Sequence, residues 1–170
     1  MYPVKLGFDE AIKRIKVLVT NKQYAESLVT AVFTCEKTFR RTLKQLIVSA
    51  GFKSVTAEKI IANLKGLDSI QNAWEIYDPK NRKLDKVIGI DNWKSIKEIS
   101  VKRNKLVHGE RVYKLDECKA DSLQIVKILE QIKKTLDAEY GYSGWTNVTI
   151  RIKSKLHIDP RVKIVIIEKT

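Results

Sequence analysis

Apolar residues recur at three- and four-residue steps along most of the chain, the spacing that lines one face of an α-helix. The two longest runs predict helices over residues 23–50 and 116–140, each followed by a glycine that can end a helix. The basic stretch 80–90 predicts a loop. Shorter runs predict four more helices, over residues 9–20, 57–65, 69–77 and 92–108, three of them with N-cap candidates in Asp9, Asp68 and Asp91.

The periodicity changes after residue 144. Residues 145–156 and 162–169 alternate apolar and polar positions on either side of the turn-forming pair Asp159-Pro160, which predicts a β-hairpin over residues 145–170. An isolated hairpin is marginally stable in water, so we expect it to pack on the helices or to pair across an oligomer. The predicted fold is mainly α, a helical bundle over residues 1–144 with the C-terminal β-hairpin appended to the same domain.

Charge is the first feature that bears on function. The chain has 33 Lys and Arg residues against 20 Asp and Glu residues, a formal net charge of +13. Such an excess favours polyanionic partners, with nucleic acid first, an acidic protein second and an anionic membrane surface third. Charge alone leaves open the alternative of a lysine-rich surface without such a partner.

The sequence contains no recognisable targeting or membrane-spanning segment. No run approaches the roughly 18 apolar residues that span a bilayer, and the N-terminus lacks the basic-then-apolar layout of a secretory signal. Cys35 and Cys118 fall in apolar helix stripes without metal-ligand spacing around them, which predicts buried free thiols. We therefore expect a cytoplasmic protein with no membrane partner, no metal and no cofactor.

The segment 103–109, RNKLVHG, contains the most informative polar residues. Asn104 and His108 lie four residues apart, so on a helix they share a face, and the amide can hydrogen-bond an imidazole nitrogen. Arg103 lies about 140° around the helix from His108, and its long side chain can curl toward the same pocket. Gly109 lets the chain turn away and leaves the imidazole uncovered.

These residue types suit RNA cleavage without a metal ion. When a 2′-hydroxyl attacks the adjacent phosphodiester, a base removes the 2′ proton, an acid protonates the leaving 5′ oxygen, and a cation stabilises the phosphorane. Imidazole, with an ordinary pKa of about 6.5, can be the base or the acid, and a guanidinium matches phosphate oxygens. One His108 supplies one proton-transfer group, and a two-fold dimer would supply the second. The local alternative is that Arg103 and His108 only stabilise the helix end through its dipole.

The same segment resembles the R-x4-6-H signature of the HEPN superfamily, in which a polar residue such as Asn104 commonly follows the arginine. HEPN proteins are helical bundles whose motif lies near one end of a late helix and precedes a long final helix, as predicted here. The family often carries an acidic residue with basic neighbours on an earlier long helix, and Glu36 is the candidate for that position, with Arg40 one turn further on. The resemblance covers residues 9–140 in architecture and 103–109 in motif.

This resemblance implies a metal-independent endoribonuclease of the kind found in toxin–antitoxin, phage-defence and RNA-processing systems. Arg103 and His108 would be catalytic, Asn104 would orient the imidazole, and Glu36 would be an accessory acidic residue of the site. The implied partners are RNA, a second copy in a homodimer, and an antitoxin or defence-system protein. A non-catalytic HEPN-like module that binds RNA or protein is the alternative. The residues expected to bind RNA are Arg40, Arg41, Lys102, Lys105 and Arg111.

One position departs from the pattern of the family. HEPN toxins that pair with a nucleotidyltransferase antitoxin often carry a tyrosine two residues after the motif histidine. Glu110 occupies that position here, and the nearest tyrosine is Tyr113. The sequence therefore gives no support to regulation by tyrosine adenylylation.

Overall fold

A computed structural model of the protein describes residues 7–111 and 113–145. These residues form a bundle of helices, which confirms the mainly α prediction. No strand is formed within the two ranges, and the predicted hairpin, apart from Trp145 at its start, lies outside the described residues. The helices in chain order are α1 (Phe8–Thr20), α2 (Tyr24–Ser49), α3 (Ser54–Asn63), α4 (Gly66–Tyr77), α5 (Leu84–Ile88), α6 (Ile90–Val107) and α7 (Leu115–Tyr140).

The long helix α2 is the centre of the bundle, with α1, α3, α4, α6 and α7 packed against it. Its inward face carries apolar residues at helical spacing together with buried Ser and Thr residues, and Phe39 near its middle is completely buried. The Phe39 ring lies 6.3 Å from the ring of Trp74 and 6.2 Å from the ring of Trp93, so α2, α4 and α6 meet at one aromatic cluster. Burial of large side chains of this kind contributes roughly 1.5–3 kcal/mol each to folding.

The predictions of three N-caps were wrong. Helices α1, α4 and α6 begin one to three residues earlier than expected, so that Asp9, Asp68 and Asp91 lie in their first turns. None of the three helices has a side-chain cap hydrogen bond. A carboxylate in the first turn still faces the positive end of the helix dipole, which explains why acidic residues collect there without capping.

The prediction of a loop over residues 80–90 was also wrong, because the five-residue helix α5 and the start of α6 lie within it. Leu84, Val87 and Ile88 of α5 are buried, and α5 contacts α6 and α7. The three apolar residues have helical spacing, but the loop was predicted because most of the residues around them are basic or polar. Gly89, with φ of 93°, separates α5 from α6 and allows the chain to start the next helix at once.

A polar network joins the end of α4 to the end of α7. The Asp78 carboxylate, 2% exposed, accepts hydrogen bonds from Arg82 Nε at 3.1 Å and from the Tyr140 hydroxyl at 2.5 Å. Trp74 Nε1 donates to the Tyr140 oxygen, and Arg82 Nη2 also donates to Glu139. Burial alone would raise the pKa of Asp78, but the bonds from Arg82 and Tyr140 outweigh it and hold the pKa below its ordinary value.

Burial follows most of the apolar stripes. The helical spacing also places Ala50, Val107 and Leu123 in these stripes, but all three are exposed. Cys35 and Cys118 are buried free thiols, as predicted, and burial raises the pKa of both.

No helix in the described part of the chain has the length and apolar character needed to span a bilayer.

Candidate active site at the C-terminal end of α6

Helix α6 ends in a turn that exposes its last side chain. Gly109, with φ of 70°, adopts the left-handed conformation, and its N–H donates to the Leu106 carbonyl at 3.2 Å. The Glu110 N–H donates to the Lys105 carbonyl at 2.9 Å. This pair of bonds is the Schellman arrangement, which satisfies the free carbonyls at a helix end and requires the left-handed residue. His108 is left as the exposed C-cap residue.

Arg103, one and a half turns earlier on α6, is held by α2. Its Nη2 donates to Glu36 Oε1 at 2.6 Å, and each of the two side chains is 20% exposed. The Nε of Arg103 is buried and has no hydrogen-bond partner among the described residues. The structure therefore brings together two of the four residues predicted to form the catalytic site, separated by 67 positions in the sequence, in a partly buried ion pair.

Asn104 and His108 are both exposed on the outer face of α6. They are linked through the backbone, where the His108 N–H donates to the Asn104 carbonyl at 2.9 Å. The expected bond between the Asn104 amide and the imidazole is not formed within residues 7–111 and 113–145, and no hydrogen bond joins Arg103 to His108 there. The imidazole is thus open to solvent, while the guanidinium of Arg103 is held by Glu36 on α2.

Two of the predicted RNA-binding residues form internal contacts on α2. Arg40 donates to the carbonyls of Ile61 and Leu64 at 3.0 and 2.9 Å, which binds the C-terminal end of α3 to α2. Arg41 donates to the Gly144 carbonyl at 3.2 Å. These bonds give both arginines a structural role and leave only part of each guanidinium for a ligand.

The predicted RNA-binding residues near the motif differ in whether their charged groups already contact other side chains of the protein. Lys102 forms an ion pair of 2.8 Å with the nearly buried Asp121 of α7, and that hydrogen bond raises the pKa of Lys102. Lys105 is exposed beside His108. The guanidinium of Arg111 lies 5.1 Å from the ring centre of Tyr113. Lys105 and Arg111 are therefore the cations of this set that remain accessible at the end of α6.

Phe33, which was not among the predicted site residues, projects from the outer face of α2. With Lys37 and Arg41 at four-residue steps along the helix, and Trp145 beside them, it forms what we call the aromatic–cation row. Lys37 Nζ lies 5.9 Å from the ring centres of both Phe33 and Trp145, and the Arg41 guanidinium lies 4.9 Å from that of Trp145. The sequence signal that could have indicated Phe33 is the position of a large aromatic residue on the side of α2 opposite its apolar stripe.

Comparison with known proteins leaves the family open. No protein-family model, curated protein sequence or solved structure matches the chain. The relation to the HEPN superfamily therefore stays a prediction that depends on the motif and its setting.

Within the described residues, no group of three or more His, Cys, Asp or Glu side chains is placed to hold a metal ion.

Proposed function

We propose that the protein is a metal-independent endoribonuclease of HEPN type that cleaves RNA by attack of a 2′-hydroxyl on the adjacent phosphate. The observation that carries this proposal is the Arg103–Glu36 ion pair, which lies five positions before the exposed His108 at the same end of α6. His108 lies five positions after Arg103, about 7.5 Å further along the helix axis and about 140° around it. The proposal requires the long arginine side chain and a bound phosphate to bridge this separation.

Each side chain has a role that its contacts support. Glu36 engages one nitrogen of Arg103, so the guanidinium is held in place while other N–H donors remain for phosphate oxygens. His108, uncovered by the turn at Gly109, removes or delivers a proton at the reacting ribose. A fixed cation of this kind typically contributes roughly 3–4 kcal/mol to a charged transition state, and general acid–base catalysis contributes about 10²–10⁴-fold.

A homodimer would complete the proton transfers, because one His108 cannot be base and acid in the same step. Exposed apolar side chains near the motif support an interface there, since Val101, Val107 and Leu115 are each at least half exposed. In a two-fold arrangement each copy contributes the same patch and its own His108. A toxin, phage-defence or RNA-processing role, with an antitoxin or defence-system partner, is part of this proposal.

The test is cleavage of total RNA by the purified full chain in EDTA, with analysis of the product ends. Attack by a 2′-hydroxyl leaves a 2′,3′-cyclic phosphate and a 5′-hydroxyl, and an oligonucleotide with a 2′-deoxy sugar at the cut site should resist cleavage. Products with 5′-phosphate ends, or activity that disappears in EDTA, would contradict the proposed chemistry.

A second candidate function is a non-catalytic HEPN-like module that binds RNA or protein. The specific observation in its favour is that the predicted site cations Arg103 and Lys102 are both engaged by acidic side chains, Glu36 and Asp121. Such a module would bind RNA with a steep dependence on salt and leave it intact. The cleavage assay in EDTA separates the two candidates directly.

A further inference from the structure

The aromatic–cation row presents one ring to solvent and anchors the other. Phe33 is 59% exposed, an uncommon state for a phenylalanine on a helix that otherwise buries its apolar residues. Trp145 is half-buried, its Nε1 donates to Thr38 Oγ1 at 3.0 Å, and its ring packs against that of Phe8 in a T-shaped arrangement. The row therefore has a free aromatic face at one end and a rigid one at the other.

The two cations of the row have no acidic partner among the residues that the structure describes. Lys37 lies between the two rings, and Arg41 stacks on Trp145 while donating to a backbone carbonyl. Partial burial and the nearby charge of Arg41 lower the pKa of Lys37. A bound anion would relieve this repulsion, because it would supply the negative charge that the surrounding side chains do not.

We propose that the aromatic–cation row binds single-stranded RNA, with a base stacked on Phe33 and the adjoining phosphates on Lys37 and Arg41. Alternating aromatic and cationic groups match the alternating bases and phosphates of an unpaired strand. Assigning RNA as the polyanion rests on the proposed function. The row is also next to the candidate active site, because Glu36, which holds Arg103, directly precedes Lys37.

Two other occupants fit this surface less well. A two-fold contact with a second copy through the same face would bring Lys37 and Arg41 close to their own counterparts, and like charges at short range oppose association. Duplex RNA keeps its base faces stacked inside the helix and offers none to Phe33. An acidic protein would satisfy the cations but has no requirement for an exposed flat ring.

The test is fluorescence anisotropy of the full chain with a labelled single-stranded oligonucleotide that carries 2′-O-methyl sugars. Because this probe cannot undergo 2′-hydroxyl attack, binding is measured whether or not the protein cleaves RNA. The variants are Phe33→Ala and Lys37→Gln. Their matched controls are Ile76→Ala, which removes a 70% exposed side chain from α4, and Lys127→Gln, which removes an exposed charge from α7.

We expect Phe33→Ala to weaken binding about 10-fold, the scale of one lost base–aromatic stack. Lys37→Gln should reduce the slope of log K against log salt by about 0.7, the value for one phosphate contact to a single strand. Both controls should bind like the wild-type chain, and annealing the probe to its complement should abolish the effect of Phe33→Ala.

Three results would overturn the inference. One is that Phe33→Ala costs no more affinity than Ile76→Ala. Another is that a polyglutamate peptide, rather than the oligonucleotide, shows binding that depends on Phe33. The third is that Phe33→Ala changes the oligomeric state measured by sedimentation. If the row binds the probe as expected but unmodified RNA is never cut, the ribonuclease proposal fails and the binding surface stands.

Discussion

The carboxylate of Glu36 on α2 accepts a 2.6 Å hydrogen bond from Arg103 on α6, and four-fifths of each side chain is shielded from solvent. Neither residue lies near the other in sequence, so the contact exists only because α6 packs on α2. A guanidinium held in this way loses little further freedom when it binds a phosphate, which is the physical basis of its proposed role.

Replacing Glu36 with glutamine should destabilise the fold by about 1–2 kcal/mol. The substitution keeps the shape of the side chain but leaves the partly buried charge of Arg103 without its counter-charge. The free energy of unfolding in urea measures this loss. The control is Glu130→Gln, which removes an exposed ion pair with Lys16 at 3.7 Å and should cost less than about 0.5 kcal/mol. Equal losses in the two variants would contradict the structural role assigned to Glu36.

Replacing Gly109 with alanine should cost about 1 kcal/mol of stability through the backbone alone. An added Cβ there meets no atom within 4 Å, but the φ of 70° is unfavourable for any residue with a side chain. Thermal or urea unfolding checks the loss, and Gly109→Asn, which tolerates the left-handed conformation better, should lose less. Gly7→Ala is the matched control, since Gly7 is equally uncrowded but has φ of −63°. A Gly109→Ala chain as stable as Gly7→Ala would contradict the assigned turn.

The Asp78 network predicts a loss of stability in acid. Because the pKa of Asp78 in the folded protein is below its ordinary value of 3.8, the unfolded chain takes up the proton first as the pH falls. The stabilisation is therefore complete above about pH 5 and is lost progressively as the pH falls through the lower, folded-state pKa. Glu139, whose pKa is lowered chiefly by its hydrogen bond from Arg82, contributes in the same direction.

Urea unfolding of the wild-type chain and of Asp78→Asn, at a series of pH values from about 6 down to about 2, measures this effect. At neutral pH we expect Asp78→Asn to be less stable by about 2–3 kcal/mol, because Arg82 loses a buried partner. The gap should narrow toward acid. Asp68→Asn, which removes a surface pair with Lys97, should cost less than about 1 kcal/mol at any pH. A constant gap between wild type and Asp78→Asn would contradict the assignment.

Much of the helical architecture was predictable from the sequence. Long apolar stripes with a glycine at the end place α2 and α7 within one or two residues of their observed bounds. The short helix α5 was missed because five residues carry little periodic signal. Helix starts were misplaced at Asp9, Asp68 and Asp91, since an aspartate is favoured both as a cap and in the first turn.

The site was predictable only in part, for a different physical reason. Spacing along one helix suggested Arg103, Asn104 and His108, whereas Glu36 was suggested only by the resemblance to the HEPN superfamily. Contacts between distant segments, such as Arg40 with the end of α3 and Lys102 with Asp121, leave no periodic trace in the sequence. The sequence therefore shows the positive charge of these residues but not the internal hydrogen bonds and ion pairs that they form.

The most direct test of the proposed ribonuclease is the rate at which the His108→Ala chain cleaves single-stranded RNA in EDTA. His157→Ala, which removes the other histidine of the chain, is the matched control. We predict that cleavage by His108→Ala falls by at least about 100-fold, with affinity for an uncleavable RNA unchanged, while His157→Ala cleaves like the wild-type chain. Cleavage by His108→Ala at the wild-type rate, or none by the wild-type chain, would contradict the account.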